Sequence, residues 1–202
     1  MIAVVDYGMG NLRSVQKALE RVGAEAVVTS DPDLVRRADK VVLPGVGAFG
    51  AAALQIEQRG LREALTEAAG GGAPFLGICL GFQLLFDESE ESPGTRGLGV
   101  LRGRVLRFPS GPGCPKVPHM GWNMTRIGAG NALLAGIPDG SFFYFVHSFY
   151  AVPEDPSSVA LTSEHGVRFA AMIAGERLFG VQFHPEKSQA MGLRMLRNFA
   201  AL

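Results

Sequence analysis

The chain has 202 residues, 47% of them hydrophobic and 19% charged, which is enough to bury a full core and favours one domain spanning 1–202 over two. Nineteen Lys and Arg balance nineteen Asp and Glu, so no overall field draws the protein to nucleic acid or anionic lipid. Two cysteines, Cys79 and Cys114, cannot make a disulfide framework. With no basic leader in "MIAVVDYGMG" and no apolar run long enough to span a bilayer, they predict a cytoplasmic protein without a membrane segment.

In chain order, "IAVV" at 2–5 reads as a strand and Asn11 to about Val22 as a helix. "AEAVV" (24–28) and "KVVLPG" (40–45) are the next strands, a second helical region covers 51–69, and glycines 70–72 lead into the strand "PFLGI". This βαβ rhythm predicts an α/β fold with a mostly parallel central sheet covered by helices on both faces. After residue 97 the strand candidates shorten and turns multiply. "LRGRVLRF" (101–108) alternates Arg102, Arg104 and Arg107 with apolar residues, as a strand with one wet face does. Helix returns only at Ser188 to Ala200. The second half therefore predicts antiparallel strands added to, or folded over, the same sheet. Neither a 20–50 residue repeat nor a long linker divides the chain.

Two early features mark chemistry that is not expected. "YGMGNLRSV" follows a strand and opens a helix like a dinucleotide fingerprint, yet Arg13 stands where the third glycine is needed. No cofactor is expected. His119, His147 and His165 have no metal-ligand spacing, and no metal site is expected either.

The stretch Gly77-Ile78-Cys79-Leu80-Gly81 has the spacing of a nucleophile elbow, with cysteine in the serine position, where a predicted strand meets a predicted helix. Glycines two positions either side permit the tight turn that lifts the side chain above the sheet. A helix start also offers the sulfur free N–H groups and a positive dipole end. In isolation Cys79 would serve equally as a core cysteine. A thiol that attacks a carbonyl needs a base, and the base an orienting group. "GVQFHPE" at 180–186 supplies both: a strand ending at His184, then Pro185 stiffening the step to Glu186. The developing oxyanion needs N–H donors. Leu80 is one candidate, and the loop after the third strand, with Gly45, Val46 and Gly47, lies where such sheets bind ligands.

"LPGVGAFG", "GICLGFQLLF" and "GVQFHPEKSQ", in this order and through nearly the whole chain, resemble the class I (triad) glutamine amidotransferase family. The resemblance implies Cys79 as nucleophile, His184 as acid and base, and Glu186 as its orienter. It also implies Gln83 and Gly45 as contacts to bound glutamine, with backbone groups of Ser148 and Phe149 beside them. The order Cys, His, Glu differs from the Ser, Asp/Glu, His order of α/β-hydrolases and disfavours an esterase. Within the family, "DYGMGNLRSV", "PGVGAFG", "PHMGWN" and "FVHSFY" are most similar to the branch serving imidazole glycerol phosphate synthases. The anthranilate branch usually reads PGP in the oxyanion loop and GHQ after the nucleophile, where this chain has Val46 and Phe82. The pyridoxal phosphate branch usually carries a Gly-Gly-Glu-Ser loop, also absent.

That branch implies a (β/α)8-barrel cyclase subunit as heterodimer partner, with Asn11, Arg13, Pro118, Met120 and Trp122 at the junction. From the residues alone Trp122 could as well be core. It also implies weak glutaminase activity alone and strong stimulation by the liganded partner, for which a peptide flip near Gly45–Gly47 is a plausible switch. Two rivals stay open at this point: another ammonia-consuming synthase as partner, and a flavodoxin-like protein that uses Cys79 as a redox thiol.

Overall fold

The computed structural model describes residues 1–202. Its first half alternates as expected: β1 (Ile2–Val5), α1 (Leu12–Arg21), β2 (Ala26–Thr29), α2 (Pro32–Arg37), β3 (Lys40–Gly45), α3 (Phe49–Gln58), α4 (Arg62–Gly70), β4 (Phe75–Cys79) and the single turn α5 (Leu80–Gln83). The expected helical region 51–69 is two helices. The chain breaks at Gly60, whose φ of +64° ends α3 in a conformation that costs glycine nothing. Helix α2, unmarked by any long apolar period, is built from its start: the Asp31 side chain accepts from the Asp33 N–H and Pro32 opens the first turn.

The second half contains β5 (Phe86–Ser89), β6 (Leu101–Arg107), β7 (His119–Met124), β8 (Arg126–Ile127), β9 (Phe142–His147), β10 (Phe149–Pro153), β11 (Val159–Glu164), β12 (Arg168–Ala174), β13 (Leu178–Val181) and α6 (Gln189–Ala200). The main sheet has the order β2-β1-β3-β4-β13-β12-β11-β8. It is parallel from β2 through β13 and antiparallel beyond. Two small sheets, β10-β6-β5 and β7-β9, accompany it. The antiparallel strands thus both extend the sheet and form separate ribbons.

Alternation along the strands sends neighbouring side chains to opposite faces. Ile2 and Val4 pack with Val15, Leu19, Leu196 and Phe199 of α1 and α6. Ala3 and Val5 pack with Val35, Ala52, Ile56 and Leu65 of α2, α3 and α4. Near-continuous apolar strands such as "IAVV" are what a sheet covered on both faces requires. The parallel pairing carries a functional consequence. β4 lies between β3 and β13, with Gly45 in register with Cys79 and Val181 with Ile78. The segments leaving the carboxyl ends of three adjacent strands therefore meet at one rim. No helix is long and apolar enough to cross a membrane.

Candidate active site

Cys79 ends β4 with φ +54° and ψ −110°, a region L residues rarely occupy and that costs about 1–3 kcal/mol. The surroundings hold it there. A Cβ on Gly77 would stand 2.9 Å from both the Gly81 oxygen and the Phe82 Cα, and one on Gly81 would run into the Leu43 carbonyl. Only glycine lets the turn close against β3. The helix expected after the nucleophile is one turn long, enough to swing Leu80 and Gln83 beneath the same opening. Cys79 Sγ lies 3.8 Å from the Val146 carbonyl oxygen and 3.7 Å from Gln182 Nε2.

His184 comes from the adjacent strand, three residues past the end of β13. The strand expected to end at His184 stops at Val181, three residues early, because the chain turns out of the ladder. The His184 N–H then donates to Tyr144 O at 2.9 Å, and Pro185–Lys187 form a 3-10 turn with His184 as its cap. That turn brings Glu186 back beneath the ring. Nδ1 donates to Glu186 Oε1 at 2.9 Å, between side chains only 2% and 1% exposed. The His184 Nε2 is buried without a partner of hydrogen-bond geometry, and it shares the cavity with Cys79. Burial pulls the imidazolium down, but the Cys79 sulfur and the Glu186 carboxylate outweigh it and raise His184 to about 9.

The cavity measures about 260 Å³, and Cys79, Leu80, Val46, Gly47, Gln83, Ser148, Phe149 and His184 all line it. Val46, Gly47 and Leu80 thus share one cavity wall. Gly47 has φ +95°, which favours glycine, and Met9 Cε, the flexible end of its side chain, stands 2.6 Å from where a Cβ would be. Gly45, expected as a glutamine contact, is in register with Cys79 at the end of β3. It packs against the elbow, where a Cβ would meet Gly81 N and the Tyr7 hydroxyl at 2.6 Å, so the turn needs glycine there. Pro118, expected at a partner interface, also forms part of the cavity wall. Met120 and Trp122 are 63% and 46% exposed, so Trp122 is a surface residue and not core. Arg13 is exposed and Asn11 half-buried, at the start of α1.

Four cavity or near-cavity residues escaped the sequence reading, and one of them is His147, part of the cavity wall. Glu91 lines the wall and its carboxylate accepts from the Phe49 N–H at 2.8 Å, at the first turn of α3. Within the run "DESEES" nothing distinguishes that carboxylate from its exposed neighbours. Gln182 stood inside a recognised motif, but its contact with sulfur depends on the β13–β4 pairing. Val146 carries its function on a backbone carbonyl, which no side-chain pattern encodes.

The family model for class-I glutamine amidotransferases matches residues 3–202. The chain belongs to that family. Among this amidotransferase's relatives is a protein named imidazole glycerol phosphate synthase subunit HisH from Moorella thermoacetica, 54% identical over 201 residues, covering 100% of this chain and 94% of the relative. A protein of the same name from Methanothermobacter thermautotrophicus is 52% identical over 202 residues, covering 100% and 98%. A crystal structure titled glutamine amidotransferase superposes with a TM-score of 0.73 at 19% identity, covering 100% of each chain. At that identity it supports the fold alone.

Proposed function

We propose that this amidotransferase is the glutaminase subunit of an imidazole glycerol phosphate synthase, working as one domain over 1–202 in the cytoplasm. The observation that carries the chemistry is that Cys79 and His184 line one cavity while Glu186 holds the other side of the His184 ring at 2.9 Å. The names of relatives at 54% and 52% identity over the full chain support the choice of synthase.

Cys79 Sγ, its proton held by the His184 ring at Nε2, attacks the side-chain carbonyl carbon of glutamine. The oxyanion rests on the N–H groups of Leu80 and the Val46–Gly47 region. Collapse of the tetrahedral species expels ammonia, which takes its proton from Nε2, and leaves a γ-glutamyl thioester. His184 then takes a proton from water, hydroxide adds to the thioester, and glutamate leaves as the thiol is reprotonated. Glu186 keeps the His184 Nδ1–H donor in place throughout, so that Nε2 always faces the reacting atoms. Gln83 uses both its amide protons on Phe149 O (2.9 Å) and Gln182 Oε1 (3.0 Å). Its Oε1 is therefore what it offers to a substrate N–H.

Free ammonia takes up a proton in neutral water and ceases to be a nucleophile, so it needs a covered route to an acceptor. The acceptor belongs to a cyclase partner, a (β/α)8 barrel. Exposed Met120 and Trp122 are apolar anchors of the kind such a junction uses, and Arg13 and Asn11 adjoin it. The test is glutamate release on mixing the chain with the liganded cyclase. Hydrolysis abolished by Cys79→Ala, by at least about 10³-fold, is the expected result. Retained hydrolysis in that variant overturns the mechanism, and rates indifferent to the cyclase ligand overturn a loop switch at Gly45–Gly47.

A further inference from the structure

The three histidines that the sequence leaves without a role stand together at the glutamine cavity, whose wall includes His147. The His119 and His165 rings stack at 4.3 Å between centroids, Phe108 and Phe169 pack against His119 and His147, and His119 and His147 are 5% and 7% exposed. His165 Nε2 donates to the Lys116 carbonyl at 3.0 Å. The other two rings form a chain of hydrogen bonds whose direction is fixed at both ends.

At the inner end His147 Nδ1 lies 2.8 Å from the Phe149 carbonyl oxygen. A carbonyl only accepts, so Nδ1 carries the proton. At the outer end the Asn123 amide is pinned: Nδ2 donates to Glu164 O at 2.8 Å, and Oδ1 accepts from the Met124 N–H. The Nδ2 group must then donate its other proton to His119 Nε2, 3.0 Å away. Between these ends, His119 Nδ1 lies 2.9 Å from His147 Nε2. With His119 Nε2 accepting from Asn123, the neutral His119 donates from Nδ1, and His147 Nε2 accepts. One arrangement satisfies every atom, and a second proton on either ring would set donor against donor. Burial, with the other imidazoles adding repulsion, pulls His119 down to about 4 and His147 to about 3, so both rings are neutral at pH 7.

The chain does not stop at Phe149. The same carbonyl oxygen accepts from Gln83 Nε2, Gln83 also donates to Gln182, and Gln182 Nε2 approaches the Cys79 sulfur. We infer that His147, oriented by His119 and Asn123, is a positioning residue for glutamine: its Nδ1–H holds the Phe149 carbonyl, which in turn holds Gln83 and the Ser148–Phe149 backbone against the substrate. This rests on the glutaminase reading above. It adds to that reading a group that touches no reacting atom and needs one particular tautomer.

The test uses the full chain with its cyclase. Wild type must hydrolyse glutamine and Cys79→Ala must not; failure at that step overturns the glutaminase reading before His147 is addressed. His147→Phe keeps the ring volume among Phe108 and Phe169 and removes the donor. It should raise KM for glutamine about tenfold, the worth of one hydrogen bond, with kcat nearly unchanged. His147→Asn, whose amide can donate from the place of Nδ1, should recover most of that loss. A KM for His147→Phe equal to wild type, or no difference between the Phe and Asn variants, overturns the inference. Because a buried substitution can prevent folding, long-range ¹H–¹⁵N NMR on the wild-type chain at pH 7 supplies a variant-free reading. Neutral Nδ1–H tautomers for both His119 and His147 are expected; an Nε2–H tautomer or an imidazolium at either overturns it.

Discussion

Glu186 shows how much a single side chain decides in this site. Its carboxylate is buried, meets the His184 ring at 2.9 Å, and is one of the two groups that raise that ring to about 9. Glu186→Gln keeps the shape and loses the charge, and the amide can present an N–H to Nδ1, which favours the wrong tautomer. Glutamine hydrolysis should fall by about 10²–10⁴ in kcat with little change in KM, and an NMR titration should show His184 well below 9. The triad was legible in the sequence because each member sits in a short motif with its own geometric reason: glycines for the elbow, proline for the step. Glu91 was not, since its use depends on the first turn of α3 arriving beside it.

Among the elements, the segment from β3 to α3 carries the proposed oxyanion donors on its backbone. "KVVLPG" is a strand from Lys40 to Gly45 as read, because both its faces are buried. The next residues leave the ladder and turn at Gly47 with φ +95°. Gly47→Ala places a Cβ on Met9 Cε and in a backbone region unfavourable to alanine. The loop should relax away from the cavity and forfeit a donor, lowering kcat about 10²-fold while circular dichroism and the Cys79 reaction with a small alkylating agent stay close to wild type. Elements without a long period were the ones misread. Helix α2 draws its stability from its cap, and the break between α3 and α4 comes from one glycine in a run that is otherwise continuously helical in composition.

At the scale of the whole molecule, buried histidines give stability opposite slopes on either side of neutrality. His119 and His147 are depressed on folding, so their contribution is complete above about 6.5 and is lost as pH falls toward 4 and 3. His184 is raised, so its contribution is complete below about 6.5 and is lost as pH rises through 9. Urea unfolding between pH 4.5 and 9.5 should therefore find a maximum near 6.5, and the alkaline fall should flatten in His184→Asn. An alkaline side as steep in that variant as in wild type would contradict the assignment. The amino-acid sequence by itself determined the parallel α/β half, the elbow and the Cys-His-Glu set, because strand burial on two faces, a strained turn and a stiff His-Pro-Glu step each leave a local pattern of residue types. Only the tertiary structure decided that Trp122 is exposed, that Gly45 packs against the elbow, and that two scattered histidines, Asn123 and Gln83 share one hydrogen-bond chain. Those facts rest on which strands pair and in what register, and contacts between residues far apart in the chain leave no periodicity to read.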